Sequence, residues 1–285
     1  TFDNVFIPVD GLAVAPRPTG HRTNIPKMFL NLNSTETCRK TFLAQQFKAT
    51  SVQRHIRWDR NVTATAIPEH FGEVDGQKQG LVKPTATRHL LFIRHGQYVK
   101  AEEDEKKVLT SLGRQQAGET ANRLKMLHSN NNKIDKIVVS SMVRARETGE
   151  IIRNQLSGVP YEYCDFLTEG APCIPEPPSS SYKPESYLSI RRALEESARI
   201  EAAFRKYIHR AELEQKTDST EVYVGHANVI RYFVCRALQF PPEGWLRMSI
   251  DNCGITRLTI KPNGHVSLQS MGDTGHLHPK LITRN

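Results

Sequence analysis

Long hydrophobic runs are missing from this 285-residue chain. Nothing approaches the ~18 consecutive apolar residues that read as a membrane-spanning helix, so no such helix is expected within it. Cysteine is sparse, at positions Cys38, Cys164, Cys173, Cys235 and Cys253. An odd set without a Cys-x-x-Cys pair, in a chain this long, speaks against a disulfide framework and a zinc site; reduced thiols are expected. Cys235 falls in an apolar helical run and reads as core filler. Blocks of lysine and arginine are also lacking, as are basic stripes interleaved with aromatics. The net charge of +9 therefore does not point to nucleic acid and suits the handling of anionic substrates. No internal repeat and no long low-complexity tract is present, which excludes repeat architectures.

What is present divides the chain in two. Residues 1–84 carry Pro8, Pro16, Pro18 and Pro26, a polar stretch at 31–35, and a Gly/Gln/Lys-rich segment at 72–80. They read as an irregular extension or linker, with a short helix expected at 35–47 capped by Ser34 or Thr35. From Thr85 the pattern becomes regular. Strands are expected at 89–93, 134–140 and 220–225. Helices are expected at 111–127, 142–156 (capped by Ser141), 187–213 and 227–238. A hairpin spans 255–260 and 265–269 about Lys261-Pro262-Asn263-Gly264, whose Asn-Gly is a strong turn signal. Strands alternating with helices predict an α/β fold: a mostly parallel central sheet with helices on both faces and a late antiparallel hairpin.

The chemistry concentrates where those strands end. Leu90-Leu91-Phe92-Ile93 suits a strand buried on both faces, and Arg94-His95-Gly96 follows it. The carboxyl ends of strands are where open α/β sheets place ligands. An imidazole there can be a nucleophile or proton carrier, an arginine offers a fork matched to phosphate oxygens, and a glycine allows a tight turn. Ser140-Ser141 precedes Arg144 in the first turn of a helix, a position that favours anions. A second strand ends in His226-Ala227-Asn228, and the loop at 167–172 offers the carboxyl of Glu169 as a proton donor. Taken singly, each has a plainer reading. A strand-end histidine is more often structural, Arg144 could be a surface charge, Glu169 a solvated loop acid and Thr110 a helix cap. Together they converge on one anion pocket.

Arg94-His95-Gly96, Leu109-Thr110…Leu112-Gly113, Ser140-Ser141…Arg144-Ala145 and Gly225-His226-Ala227-Asn228 resemble the signatures of the histidine phosphatase (phosphoglycerate mutase-like) superfamily. Longer stretches, among them Glu169-Gly170-Ala171-Pro172 and the segments at 198–210 and 237–245, resemble its mitochondrial serine/threonine protein phosphatases. The likeness covers residues 85–285, which makes that span the expected catalytic domain, a three-layer sandwich. It implies a phosphohistidine on His95, phosphate held by Arg94, Arg144 and His226, and Glu169 as proton donor. Thr110 and Asn228 are supporting residues. It implies no cofactor and no metal, phosphorylated proteins as partners, and a homodimer or higher oligomer. It also implies a mitochondrial location, with membrane attachment through a segment not expected within these residues.

The resemblance is incomplete in places. Gly96 stands where close relatives carry serine, with little consequence expected. Trp58-Asp59-Arg60-Asn61 matches only the first half of a Trp-Asp-x-Asn-Trp-Asp assembly motif, so the oligomerisation role of Trp58, Asp59 and Asn61 is an open expectation. Gly72-Glu73-Val74-Asp75 is too loose for a docking motif. Rival readings are a small-molecule phosphatase or mutase, although Gln97-Tyr98-Val99-Lys100 lacks the Trp-Asn of sugar-phosphate mutases, and a scaffold that binds phosphoproteins.

Overall fold

A computed structural model describes residues 83–129, 133–179, 182 and 187–284. The expected helix at 35–47 and the Trp58–Asn61 segment lie outside them. The described residues belong to one unit spanning 44–285.

Its centre is β1 (Arg88–Arg94), where Leu90, Leu91, Phe92 and Ile93 are at most 4% exposed. Alternate side chains of a strand point to opposite faces. Leu90 and Phe92 thus enter one core with Ile200, Phe204, Ile230 and Phe233, whereas Leu91 and Ile93 enter another with Ala121, Leu124, Ala145 and Ile152. Helices α3 (Tyr187–Tyr207) and α4 (Ala227–Ala237) supply the first core, α1 (Ser111–Ser129) and α2 (Val143–Gln155) the second. Full burial stabilises each such side chain by about 1.5–3 kcal/mol, which is why a continuous apolar run becomes the middle strand of a three-layer fold.

The remaining strands are β2 (Ile134–Ser140), β3 (Tyr161–Cys164), β4 (Ser219–Gly225), β5 (Ile255–Ile260) and β6 (Val266–Asp273). The six-stranded sheet has the order β3-β2-β4-β1-β5-β6. The first four run parallel, while β5 and β6 are antiparallel additions. Gly264, at φ +87°, closes the expected hairpin. Arg94 pairs with Gly225 in the β1–β4 register, so His95 and His226 leave the same sheet edge side by side, with the end of β2 next to them.

Strand β6 runs on to Asp273 instead of ending near Gln269, and three further details differ from the sequence expectation. Strand β3 went unseen because only Cys164 of its residues is buried, leaving no apolar alternation. Helix α3 ends at Tyr207 rather than near Leu213; Ile208 is still buried, but the next carbonyl, of His209, accepts from Arg88 Nη1 at 2.7 Å. Ser141 does not cap α2. The N-cap is Met142, without a side-chain bond, and the Val143 N–H donates instead to Asp104 Oδ2 at 3.0 Å.

Candidate active site

His95 is 2% exposed and His226 fully buried, with ring centroids 5.1 Å apart. His95 Nδ1 lies 2.8 Å from the Gly96 carbonyl, which can only accept. That bond fixes the proton on Nδ1 and leaves the lone pair on Nε2. Arg144 Nε donates to this Nε2 at 3.2 Å, as it can only to an unprotonated nitrogen. Burial, then Arg144 and Arg94, push His95 well below the ordinary histidine value. His226 is pushed down well below it too, by burial and next by His95. Both rings are therefore neutral near pH 7.

The arginines are held from behind. Arg94 Nη1 donates to the Ile250 carbonyl at 2.7 Å. Arg144 Nη1 pairs with Asp104 at 3.0 Å, and its guanidinium lies 4.9 Å from the Tyr98 ring centre. Thr148 ties the turn to α2, since its Oγ1 accepts from the Gly96 N–H at 3.0 Å and donates to the Arg144 carbonyl at 2.8 Å. Gly96 is packed tightly: a Cβ there would sit 2.6 Å from the Gly113 carbonyl oxygen. A serine would require the turn and the start of α1 to move apart.

Glu169 faces this cluster from the loop after β3. Its Oε2 is 3.8 Å from His226 Nδ1. The side chain is 27% exposed, yet Oε1 is covered and, like His226 Nδ1, has no hydrogen-bond partner among the described residues. Burial raises the carboxyl above its usual range, against the pull of Arg144, Arg94 and the backbone N–H groups of Gly170 and Asn228. Ligand atoms of His95, Glu169 and His226 all lie within 4.8 Å of one another. That spacing alone would suit a cation. Arg144, whose Nε donates to His95 Nε2 at 3.2 Å, and the buried Arg94 make the space electropositive, however, and an anion fits it better.

Thr110 and Asn228 stand one step back. Thr110 Oγ1 accepts from the Gly113 N–H at 3.0 Å, capping α1, and donates to Gln97 Oε1 at 2.8 Å. Asn228 Oδ1 accepts from Arg231 Nη1 at 3.1 Å. Sequence reasoning missed several supports. Ser140 Oγ bonds His226 Nε2 at 2.8 Å. Asn252 Nδ2 donates to the His95 carbonyl at 3.1 Å. Cys253, in the left-handed region at φ +59°, donates its N–H to the Arg94 carbonyl at 3.0 Å. Burial raises its thiol to about 12, so it is unreactive. Of these, only Ser140 carried a signal, at a strand end beside Arg144.

The model of the "Histidine phosphatase superfamily (branch 1)" matches residues 90–172 and 177–274. The chain belongs to the histidine phosphatase superfamily. It is 49% identical over 235 residues, 80% of this chain and 79% of the other, to the human mitochondrial serine/threonine-protein phosphatase PGAM5. Its identity to the Xenopus laevis protein of that name is 46% over 239 residues, covering 80% and 84% of the two chains. A solved phosphoglycerate mutase from Plasmodium falciparum is 31% identical, covers 70% of this chain and 100% of its own, and superposes with a TM-score of 0.48. All the candidate residues from Arg94 to Asn228 fall within the spans matched to the histidine phosphatase model.

Proposed function

We propose that this chain is a metal-independent phosphatase acting on phosphoserine and phosphothreonine in proteins, with residues 85–285 as its catalytic domain and 1–84 as an extension. The observation that carries the reading is the Nε2 lone pair of His95, held by the Nδ1–Gly96 bond and facing Glu169 and His226 among Arg94 and Arg144. The substrate class comes from the relatives named as serine/threonine-protein phosphatases, and so does a mitochondrial location. A homodimer, with any higher assembly through Trp58, Asp59 and Asn61, belongs to the same reading.

In the first step His95 Nε2 attacks phosphorus as the bond to the serine or threonine oxygen breaks. Arg144 exchanges its bond to Nε2 for phosphate oxygens, and Arg94 and the Nδ1 of His226 take others. Donation by the Ser140 hydroxyl to His226 Nε2 would leave the needed proton on Nδ1. Fixed cations around the equatorial oxygens stabilise their spread charge. Protonated Glu169 gives its proton to the leaving oxygen. In the second step Glu169, now ionised, takes a proton from water as that water attacks the phosphohistidine, and His95 leaves with its lone pair restored.

The test measures phosphate release from phosphothreonine peptides and from phosphoglycerates side by side, with His95→Ala as the blank. Faster release from the peptides, lost in the variant, is expected. Release from the small phosphates alone would make the protein a metabolic enzyme. Silence on both would return the phosphoprotein scaffold.

A further inference from the structure

A proton donor has to be held within hydrogen-bond reach of the oxygen it serves, yet Glu169 sits on a loop. Leu167 before the acid and Ala171, Pro172 and Cys173 after it are buried, while Phe166 is 44% exposed; this apolar contact holds the loop down but does not by itself fix the direction of a carboxyl. A directional grip comes from α3. Arg199 Nη1 donates to the carbonyls of Phe166 at 2.9 Å and Thr168 at 2.7 Å, and Nη2 donates to the carbonyl of Glu169 itself at 3.0 Å. One turn earlier on the same helix face, Glu196 Oε2 accepts the N–H of Ala171 at 2.8 Å. Its other oxygen is tied to Arg192 Nε at 2.9 Å. The backbone on both sides of the acid is thus fastened to one rigid helix.

Gly170 lies between the two side chains. A Cβ there would come within 2.7 Å of Arg199 Nη2 and 3.1 Å of the Glu196 side chain. The loop can approach this closely only because residue 170 has no side chain. The planar guanidinium serves three carbonyls from two fixed nitrogens, a spread that the single nitrogen of a lysine does not reproduce.

We infer that Glu196 and Arg199 form a clamp that positions Glu169 over His95 by gripping the loop backbone on both sides of it. Neither residue needs to touch substrate; they are positioning residues. The inference rests on the proton-donor role proposed for Glu169. Loosening the clamp lets the carboxyl swing from the leaving oxygen. Substrates whose leaving group needs a proton then suffer, while substrates whose leaving group departs as an anion are spared.

The experiment compares kcat/KM on a phosphoserine peptide, with an alkoxide leaving group, and on p-nitrophenyl phosphate, with a stabilised phenolate. The full chain is used as wild type, Arg199→Ala, Arg199→Lys and Glu169→Gln. The ratio of the two rates within one preparation is independent of how much of the protein is folded. Glu169→Gln is expected to lower the peptide-to-aryl ratio by on the order of 10²-fold, the low end for a general acid. Arg199→Ala should lower it at least about tenfold, and Arg199→Lys should recover only part of it. Equal loss on both substrates in Arg199→Ala would mean that Arg199 supports the fold alone and would overturn the clamp, as would unchanged rates. An unchanged ratio in Glu169→Gln would instead remove the proton-donor reading, and the clamp with it.

Discussion

At the scale of single residues the site works by withholding charge from its own titratable groups. His95 and His226 are neutral because burial and the arginines make a second positive charge costly. Glu169 is biased toward its protonated form because burial outweighs the cations near it. A neutral nucleophile beside a carboxyl whose proton is held more tightly than usual suits phosphoryl transfer to histidine. NMR titration of labelled histidines in the free protein should therefore find both rings still neutral as the pH falls past 6.5, their ordinary value. Protonation of His95 at or above that pH would contradict the arrangement. Histidine, arginine and glycine at a strand end were legible in the sequence. The choice of Nε2 as the free nitrogen was not, because it depends on where the Gly96 carbonyl points.

At the scale of elements, the parallel strands are fastened at the end opposite the site. There Glu221 of β4 takes Arg88 of β1 in two bonds, at 2.7 and 2.8 Å, with Lys136 of β2 at 3.0 Å and the Tyr223 hydroxyl at 2.6 Å. Burial would raise the Glu221 carboxyl, but Arg88, Lys136 and Tyr223 together pull it down to about 2. A carboxyl lowered on folding stabilises the native state above its unfolded pKa, and that contribution disappears as the pH falls through the folded one. The expected loss is about 3 kcal/mol between roughly pH 5 and pH 2. Urea unfolding against pH should show it, and Glu221→Gln should flatten the curve while lowering stability at neutral pH by about 3–5 kcal/mol. An unaltered pH slope in the variant would detach this ion pair from acid unfolding. The apolar cores of these elements were readable from period and run length. The ion pair was not, because its partners stand 133 residues apart in sequence.

At the scale of the whole molecule, the chain carries a net charge of +9, to which the Arg94 and Arg144 of the site contribute. Fixed positive potential speeds the encounter with anionic substrates and is screened over about 10 Å at 0.1 M salt. For acidic phosphopeptides kcat/KM should fall several-fold between about 20 and 200 mM salt, with kcat much less affected, as stopped-assay kinetics can measure. A salt-independent kcat/KM would mean that the net charge plays no part in substrate capture.

The sequence by itself determined the α/β class, the order of its main strands and helices, and the strand ends that carry Arg94, His95 and His226. These rest on local regularities: apolar runs, helical spacing and turn residues that each segment carries within itself. Only the tertiary structure decided which residues serve that chemistry from a distance. Asp104 closes the start of α2 from 39 residues away, Ser140 orients a histidine 86 residues along, and Arg199 grips the Glu169 loop from a helix about 30 residues later. Such partners are chosen by the packing of layers across the sheet, and a pairing across that distance leaves no period for a local pattern to record.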